Sequence, residues 1–277
     1  MSRRALIVSL ALALTAAACS GKTPAGRGGA ATPSVSDSAT RQASAGRASP
    51  SASPPTTPAG ATPAVPVPVP SGAPIPATGE YLYAQHGSET FCSTAACGTP
   101  RALPPTMRAT VRYGGADATN HHAVDLDLAL APGRTIRVRS RYSPTSILVD
   151  RVEAVFTESG ITQSGSIAPT PAIVLLSFPL RKGPPAEQAF TDGNTSGTYT
   201  RAVVGEETIN AAGQRTRAWR VESTIRTAGE HPSTIGVTMW VEEPTRTFLR
   251  LAVTIDVTSE ITRYKASFTD TLQSRPR

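Results

Sequence analysis

Three cysteines, four histidines and two pairs of adjacent glutamates are the side chains best able to do chemistry in this chain. Cys92 and Cys97 have four residues between them, which is not the CxxC spacing of thioredoxin chemistry or a zinc knuckle. In an oxidising compartment that pair reads as one structural disulfide, contributing ~2 kcal/mol because a short loop loses little closure entropy. His121 and His122 are neighbours on or beside a strand, so they point to opposite faces and form a solvated pair rather than a metal site. His86 and His231 lack a second histidine at ligand spacing and read as surface residues. Glu206-Glu207 and Glu242-Glu243 lie in turn-like contexts, whereas a glycosidase pair needs carboxylates on facing elements. G-x-S-x-G, HExxH, P-loop and G-x-G-x-x-G motifs do not occur. The expectation is a protein without catalytic residues, metal or cofactor.

The third cysteine, Cys19, stands in a different context. Arg3 and Arg4 precede an apolar run from Ala5 to Leu14, and Ala16-Ala17-Ala18 follows. These are the charged, apolar and small-residue regions of a secretory signal. With a cysteine next, the segment resembles a bacterial lipobox, cut before Cys19 once its thiol carries a diacylglycerol with acyl chains such as palmitate. Ala16 holds the position where leucine is the commonest version. The reading gives a signal peptide over residues 1–18 and a lipid anchor on Cys19 at the outer face of the cell membrane. No stretch after Leu14 is apolar for long enough to span a bilayer as a helix.

Between Ser20 and Gly79 there is no aromatic residue and no leucine, while 12 of the 25 prolines fall there. Such a segment cannot bury enough apolar surface to offset its ordering entropy, so residues 19–79 are expected to be a disordered Pro/Ser/Thr/Ala-rich tether. Its first part is flexible, and the alternate prolines from Pro66 to Pro70 favour extended polyproline II. A fully flexible chain of this length spans roughly 40 Å. The tether also takes much of the charge: the formal +7 falls to 21 bases against 19 acids from Glu80 onward. That near balance excludes the concentrated basic face a nucleic-acid binder needs.

From Tyr81 the period becomes two. Strands are expected over Thr106–Tyr113, His122–Leu130, Thr135–Tyr142, Ser146–Phe156, Gly197–Val204, Thr216–Arg226, Ser233–Val241, Arg246–Thr258 and Ile261–Leu272. Val124, Leu126 and Leu128 share a face opposite Asp125 and Asp127, and Ile136 and Val138 oppose Arg137 and Arg139. Any register keeping both apolar sets together puts the aspartates beside those arginines, as a neutralised solvent face. No window of helical length sustains a period near 3.6. The fold class is therefore all-β, a curved and mostly antiparallel sheet (half-barrel or open barrel), one domain over residues 80–277.

Ala172 to Leu180 breaks the alternation, being almost continuously apolar between Pro171 and Arg181. It reads as a buried strand or loop plugging the concave face, or as a mobile lip of a ligand cavity. Ile173, Leu176 and Phe178 are its candidate ligand-binding residues. Trp240 is a fourth, because it lies opposite the Ile235, Val237, Met239, Val241 set and either meets solvent or lines a second layer. Trp219 shares a face with Val221 and Ile225 and belongs to the core.

The lipobox, the Pro/Ser/Thr stalk, the entry strand Gly79-Glu80-Tyr81-Leu82-Tyr83 and the closing Phe178-Pro179-Leu180-Arg181-Lys182-Gly183 resemble uncharacterised secreted lipoproteins of actinobacteria. Three lysines against 24 arginines fit such a high-GC source. From Glu80 to Leu272 the successive strands resemble the curved half-barrel of LolA-type and mycobacterial lipid-carrier lipoproteins, without an amphipathic helix to pack inside it. The resemblance implies lipid carriage. Two expectations follow: an anchored, non-catalytic protein holding a lipid or other apolar ligand in a curved-sheet cavity, or a structural and interaction module of the envelope with a filled core. An apolar cavity of several hundred Å3 would favour the first and a packed interior the second. The protein partner is not legible in the sequence.

Overall fold

In a computed structural model the described residues are 75–93, 96–158, 161–229, 232–258 and 262–276. The signal segment, Cys19, most of the expected tether and His231 lie outside them. Every regular element among the described residues is a strand. In chain order they are β1 (Gly79–Ser93), β2 (Arg101–Ala102), β3 (Thr106–Ala116), β4 (His122–Ala131), β5 (Arg134–Tyr142), β6 (Ser146–Glu158) and β7 (Ile161–Ile167). Then follow β8 (Ile173–Ser177), β9 (Ala186–Asp192), β10 (Thr195–Ala211), β11 (Gln214–Ala228), β12 (Ser233–Glu242), β13 (Thr247–Thr258) and β14 (Thr262–Ser274).

All pairings between these strands are antiparallel, and they form one sheet in the order β7-β6-β5-β4-β3-β1-β14-β13-β12-β11-β10-β9. Most neighbours in space are neighbours in sequence; the exception is β1, which sits between β3 and the last strand, β14. The chain's first and last strands thus meet at the middle of the sheet.

The alternation decides which face is inside. Leu249, Val253, Ile255 and Val257 of β13 are buried, while Thr254 between them is exposed. Tyr81, Tyr83, Met107, Val111, Val124 and Leu272 converge on the same interior from both halves. Outside, Asp127 stands directly across from Arg137 and Asp125 from Arg139, the register expected from the sequence. Their ion pairs form at 2.7 and 3.1 Å.

Long strands must bend to wrap an interior, and β-bulges supply the bends. One lies in the 17-residue β10, where the register against β11 shifts between Val203 and Gly205 and Gly205 adopts φ +156. A second glycine is required by contact: the Phe190 ring lies 2.2 Å from where a Cβ on Gly197 would stand.

β2, β7 and β9 are the strands for which the sequence pattern made no separate provision, and β8 realises the buried-strand reading of Ala172 to Leu180. β8 turns Ala172 to Leu180 into a strand on β6, paired from Ser146 to Val149, followed by buried Phe178 and Leu180. The tether boundary also moves. Ile75 packs on the main core and Pro76 is buried, while the Tyr81 hydroxyl donates to the Ala77 carbonyl at 2.8 Å. The ordered chain therefore begins several residues before the expected end of the tether at Gly79. A chain starting at Gly79 is expected to lose about 1–2 kcal/mol relative to one starting at Ser71, from the lost burial of Ile75 and Pro76. Denaturant unfolding of the two checks it; equal midpoints would mean these residues belong to the tether.

Candidate functional site

The sheet's two ends meet at a seam built differently from the rest of the barrel. Between β8 on one side and β9–β10 on the other there is a single backbone bridge, Thr170 to Thr191, with bonds of 2.8 and 2.9 Å. Side chains do the remaining joining. Gln188 of β9 works like a piece of backbone: its Nε2 donates to the Ala172 carbonyl at 2.8 Å and its Oε1 accepts from the Val174 N–H at 2.9 Å. The Tyr199 hydroxyl donates to the Leu175 carbonyl at 3.1 Å. Arg201 donates to the Val174 carbonyl and, at 2.7 Å, to the Ser177 hydroxyl.

The segment Ala172 to Leu180 forms a strap along this seam, and its end is held by the turn between β12 and β13. Glu243 Oε1 accepts from the Leu180 N–H at 2.9 Å. The Arg246 guanidinium lies over the Phe178 ring, 3.1 Å from its centroid, and donates to the Pro144 carbonyl at 3.1 Å. Arg246 is only 6% exposed, and burial pulls its pKa below the ordinary arginine value.

Three of the four expected ligand-binding residues therefore sit on this strap but in different environments. Ile173 packs with Val149, Ile167, Phe190 and Tyr199 in a side cluster. Leu176, 0% exposed, and Phe178 pack into the main interior. Trp240 is not with them. It is half-buried against the edge of the main core, its Nε1–H donating to Glu207 at 2.8 Å and its ring flanked by Arg220 and Arg250 at 6.0 and 5.5 Å. The Trp240 hydrogen bond, then that of Arg220, holds the Glu207 carboxyl below the usual carboxylate range. Trp219 is half-buried against the main core.

Tyr81, Tyr83, Met107, Leu126, Tyr142 and Leu251 enclose a cavity of about 30 Å3. Deeper, the wall carries polar groups that the alternation had placed inside without announcing. Glu89 is fully buried and accepts from Arg134 at 3.0 Å, from Arg101 Nε at 2.8 Å and from the Tyr264 hydroxyl at 3.3 Å. Burial lifts its carboxyl, with the Arg101 hydrogen bond acting the other way. Gln85 and Asp270 stand directly opposite across β1 and β14, each 1% exposed. Both amide atoms of Gln85 and Oδ1 of Asp270 lack a hydrogen-bond partner. Burial pushes the Asp270 carboxyl up to about 7, with Gln85 acting against the shift.

The remaining chemistry-capable residues are held in structure. A disulfide joins Cys92 and Cys97. His122, expected in solvent, is buried at 4% exposure, with Nδ1 3.0 Å from the Tyr113 hydroxyl; its strand turns it inward while His121 stays on Thr119 at 2.7 Å. Glu206 and Glu207 lie within β10 rather than in a turn, paired with Arg217 and Arg220. Glu242 pairs with Arg275 at 2.8 Å. Among the described residues no three His, Cys, Asp or Glu side chains cluster as metal ligands.

Fold and site together define an antiparallel barrel closed by side chains around an apolar interior. No protein-family model and no curated protein sequence matches the chain. Among solved structures it is similar to the hypothetical lipoprotein YmcC from Escherichia coli, with 9% identity over 69% of this chain and 86% of that one and a TM-score of 0.26. At that score the superposition carries no argument, and function has to be read from this chain's own residues.

Two outcomes are expected. Gln188→Ala removes both seam bonds of one side chain, so amide exchange at Val174 is expected to accelerate while β4 and β5 stay protected; unchanged exchange would place the closing force elsewhere. Asp270 has a folded pKa above its unfolded one, so the stability it contributes is full below about pH 4 and lost as pH rises through about 7. Asp270→Asn is expected to flatten that slope, worth on the order of 4 kcal/mol at most, in denaturant melts run across the range. An identical slope in the variant would rule Asp270 out as its source.

Proposed function

We propose that the chain is a non-catalytic module of the cell envelope, held at the outer face of the cell membrane by lipid on Cys19. The tether displays a barrel that serves as a filled scaffold for a surface interaction. The observation that carries the reading is the size of the apolar cavity among the described residues of the main core: about 30 Å3 against the roughly 300–1,000 Å3 of small-molecule sites. Support for anchoring by lipid rather than by the barrel wall comes from the outer face. Asp125, Asp127, Arg137, Arg139 and Arg141 point outward, the reverse of the apolar band of a membrane-spanning barrel. The non-catalytic reading rests on how the candidate groups are used: glutamates on arginines, His122 on Tyr113, Cys92 on Cys97.

Carriage of an apolar ligand is the second reading, and the seam favours it, because β8 could leave without breaking a full backbone ladder. Leu176→Asp separates the two. A filled scaffold traps the charge unpaired in the interior, at a cost of several kcal/mol and with loss of cooperative unfolding. A displaceable strap keeps the melting transition and loses uptake of a fluorescent fatty-acid probe that the wild type takes up. For the anchor, Cys19→Ser is expected to abolish acylation and release the protein from the membrane fraction. An acylated, membrane-bound variant would overturn it.

A further inference from the structure

Most arginines of the barrel are matched with a carboxylate. Arg112 and Arg137 share Asp127, Arg217 pairs with Glu206, Arg220 with Glu207, Arg263 with Asp256. Arg250 and Arg201 are two partly buried arginines with no such partner among the described residues; Arg250 is taken up by the Trp240 ring and Thr271, whereas Arg201 lines a cleft. The Arg201 guanidinium bonds only neutral oxygens, the Val174 carbonyl and the Ser177 hydroxyl, and it has no carboxylate within 4 Å among the described residues. Desolvation accordingly pulls its pKa down, with Tyr199 acting against the shift. A half-buried cation held this way keeps an unspent preference for an anion.

Arg201 lines a surface cleft of about 200 Å3 where the strap leaves β8 and runs along β10. The opposite wall contributes Arg181, exposed and likewise without a carboxylate partner among the described residues, with Lys182 next in the chain. No acidic residue lines the cleft. Exposed Pro179 and half-buried Val203 add apolar surface to the cleft, backed by the buried Leu176 and Leu180. Proline at 179, 184 and 185 restricts the backbone on both sides of Arg181, so this charge is carried on a stiffened segment.

We infer that this cleft binds an amphiphile with an oxyanion head, the head held by Arg201 and Arg181 and a short aliphatic segment against Pro179 and Val203. Two guanidiniums forking onto one phosphate or carboxylate give directional charge-assisted bonds. The apolar surface is what separates this ligand from a free inorganic anion. The site lies on the outside of the strap and requires neither an interior cavity nor release of β8, so it goes beyond the scaffold reading and is independent of it.

The test titrates the full chain carrying Cys19→Ser, which removes its own acyl chains, with three probes below their micelle concentrations. They are decanoyl-glycerol phosphate, decanoyl-glycerol and inorganic phosphate. The acyl phosphate is expected to bind at least about tenfold more tightly than either of the others, since one charge-assisted bond is worth roughly that factor. Arg181→Gln, at an exposed position, is expected to weaken acyl-phosphate binding by about tenfold or more with the melting temperature unchanged. Arg201→Lys retains the charge but not the fork, and a loss there with an intact melting transition agrees with the assignment. Equal affinity for decanoyl-glycerol would reduce the site to apolar contact, and equal affinity for phosphate would reduce it to a plain anion site; either overturns the inference. So would absence of acyl-phosphate binding, or an Arg181→Gln chain that binds as tightly as its parent.

Discussion

A β-sheet leaves a row of unpaired N–H and C=O groups at each edge, and this sheet has to bring its two edges together over an apolar interior. The rest of the structure depends on how that is done. The β6 strand is shared, part of its free side going to β7 and part to β8, so the strap is carried on one end of the sheet. Across the gap Gln188 substitutes for a residue of backbone, and Tyr199 and Arg201 cover the carbonyls of Leu175 and Val174. Because these bonds belong to side chains, the seam tolerates the bend that closure imposes. It also puts three polar side chains where a regular ladder would need none.

Inside the barrel two polar solutions stand side by side. Glu89 is buried with two arginines and a tyrosine hydroxyl, so its charge is matched by groups from three separate parts of the chain. Removing any one of them would leave charge stranded in low dielectric. Gln85 and Asp270, a short distance along the same strands, lack such company. Their cost is avoided at low pH by keeping the carboxyl protonated, which is why burial moves the Asp270 pKa so far. Stability and pH are thereby coupled at one internal position.

The outer face follows a different economy. Opposite charges sit across neighbouring strands, Asp127 between Arg112 and Arg137, Asp256 beside Arg263. Each exposed pair contributes little on its own. Together they balance much of the wall's charge, and among the arginines without a carboxylate partner Arg181 and Arg201 share one cleft.

Much of the fold was legible because β periodicity is local. Alternation over His122–Leu130 and Thr135–Tyr142 was enough to place Asp125 and Asp127 against Arg139 and Arg137, since shifting the register by one residue would expose the apolar face. The pair of cysteines left after Cys19, read for an oxidising compartment, likewise pointed to the bond between Cys92 and Cys97. Other features required the closed barrel. Arg134 and Glu89 are 45 residues apart, and no pattern in either segment indicates the partner. Trp240 could be assigned to the face opposite Met239 but not to solvent or ligand; Glu207 and two arginines decided that. The apolar run Ala172–Leu180 was ambiguous as strand or lip because its burial depends on which sheet edge arrives beside it. Sequence by itself determined the strands and which side chains of each face inward, because those follow from a two-residue repeat. Only the tertiary structure decided how the edges are joined, which buried charges are matched and which cations are left over, because these depend on contacts between segments far apart in the chain.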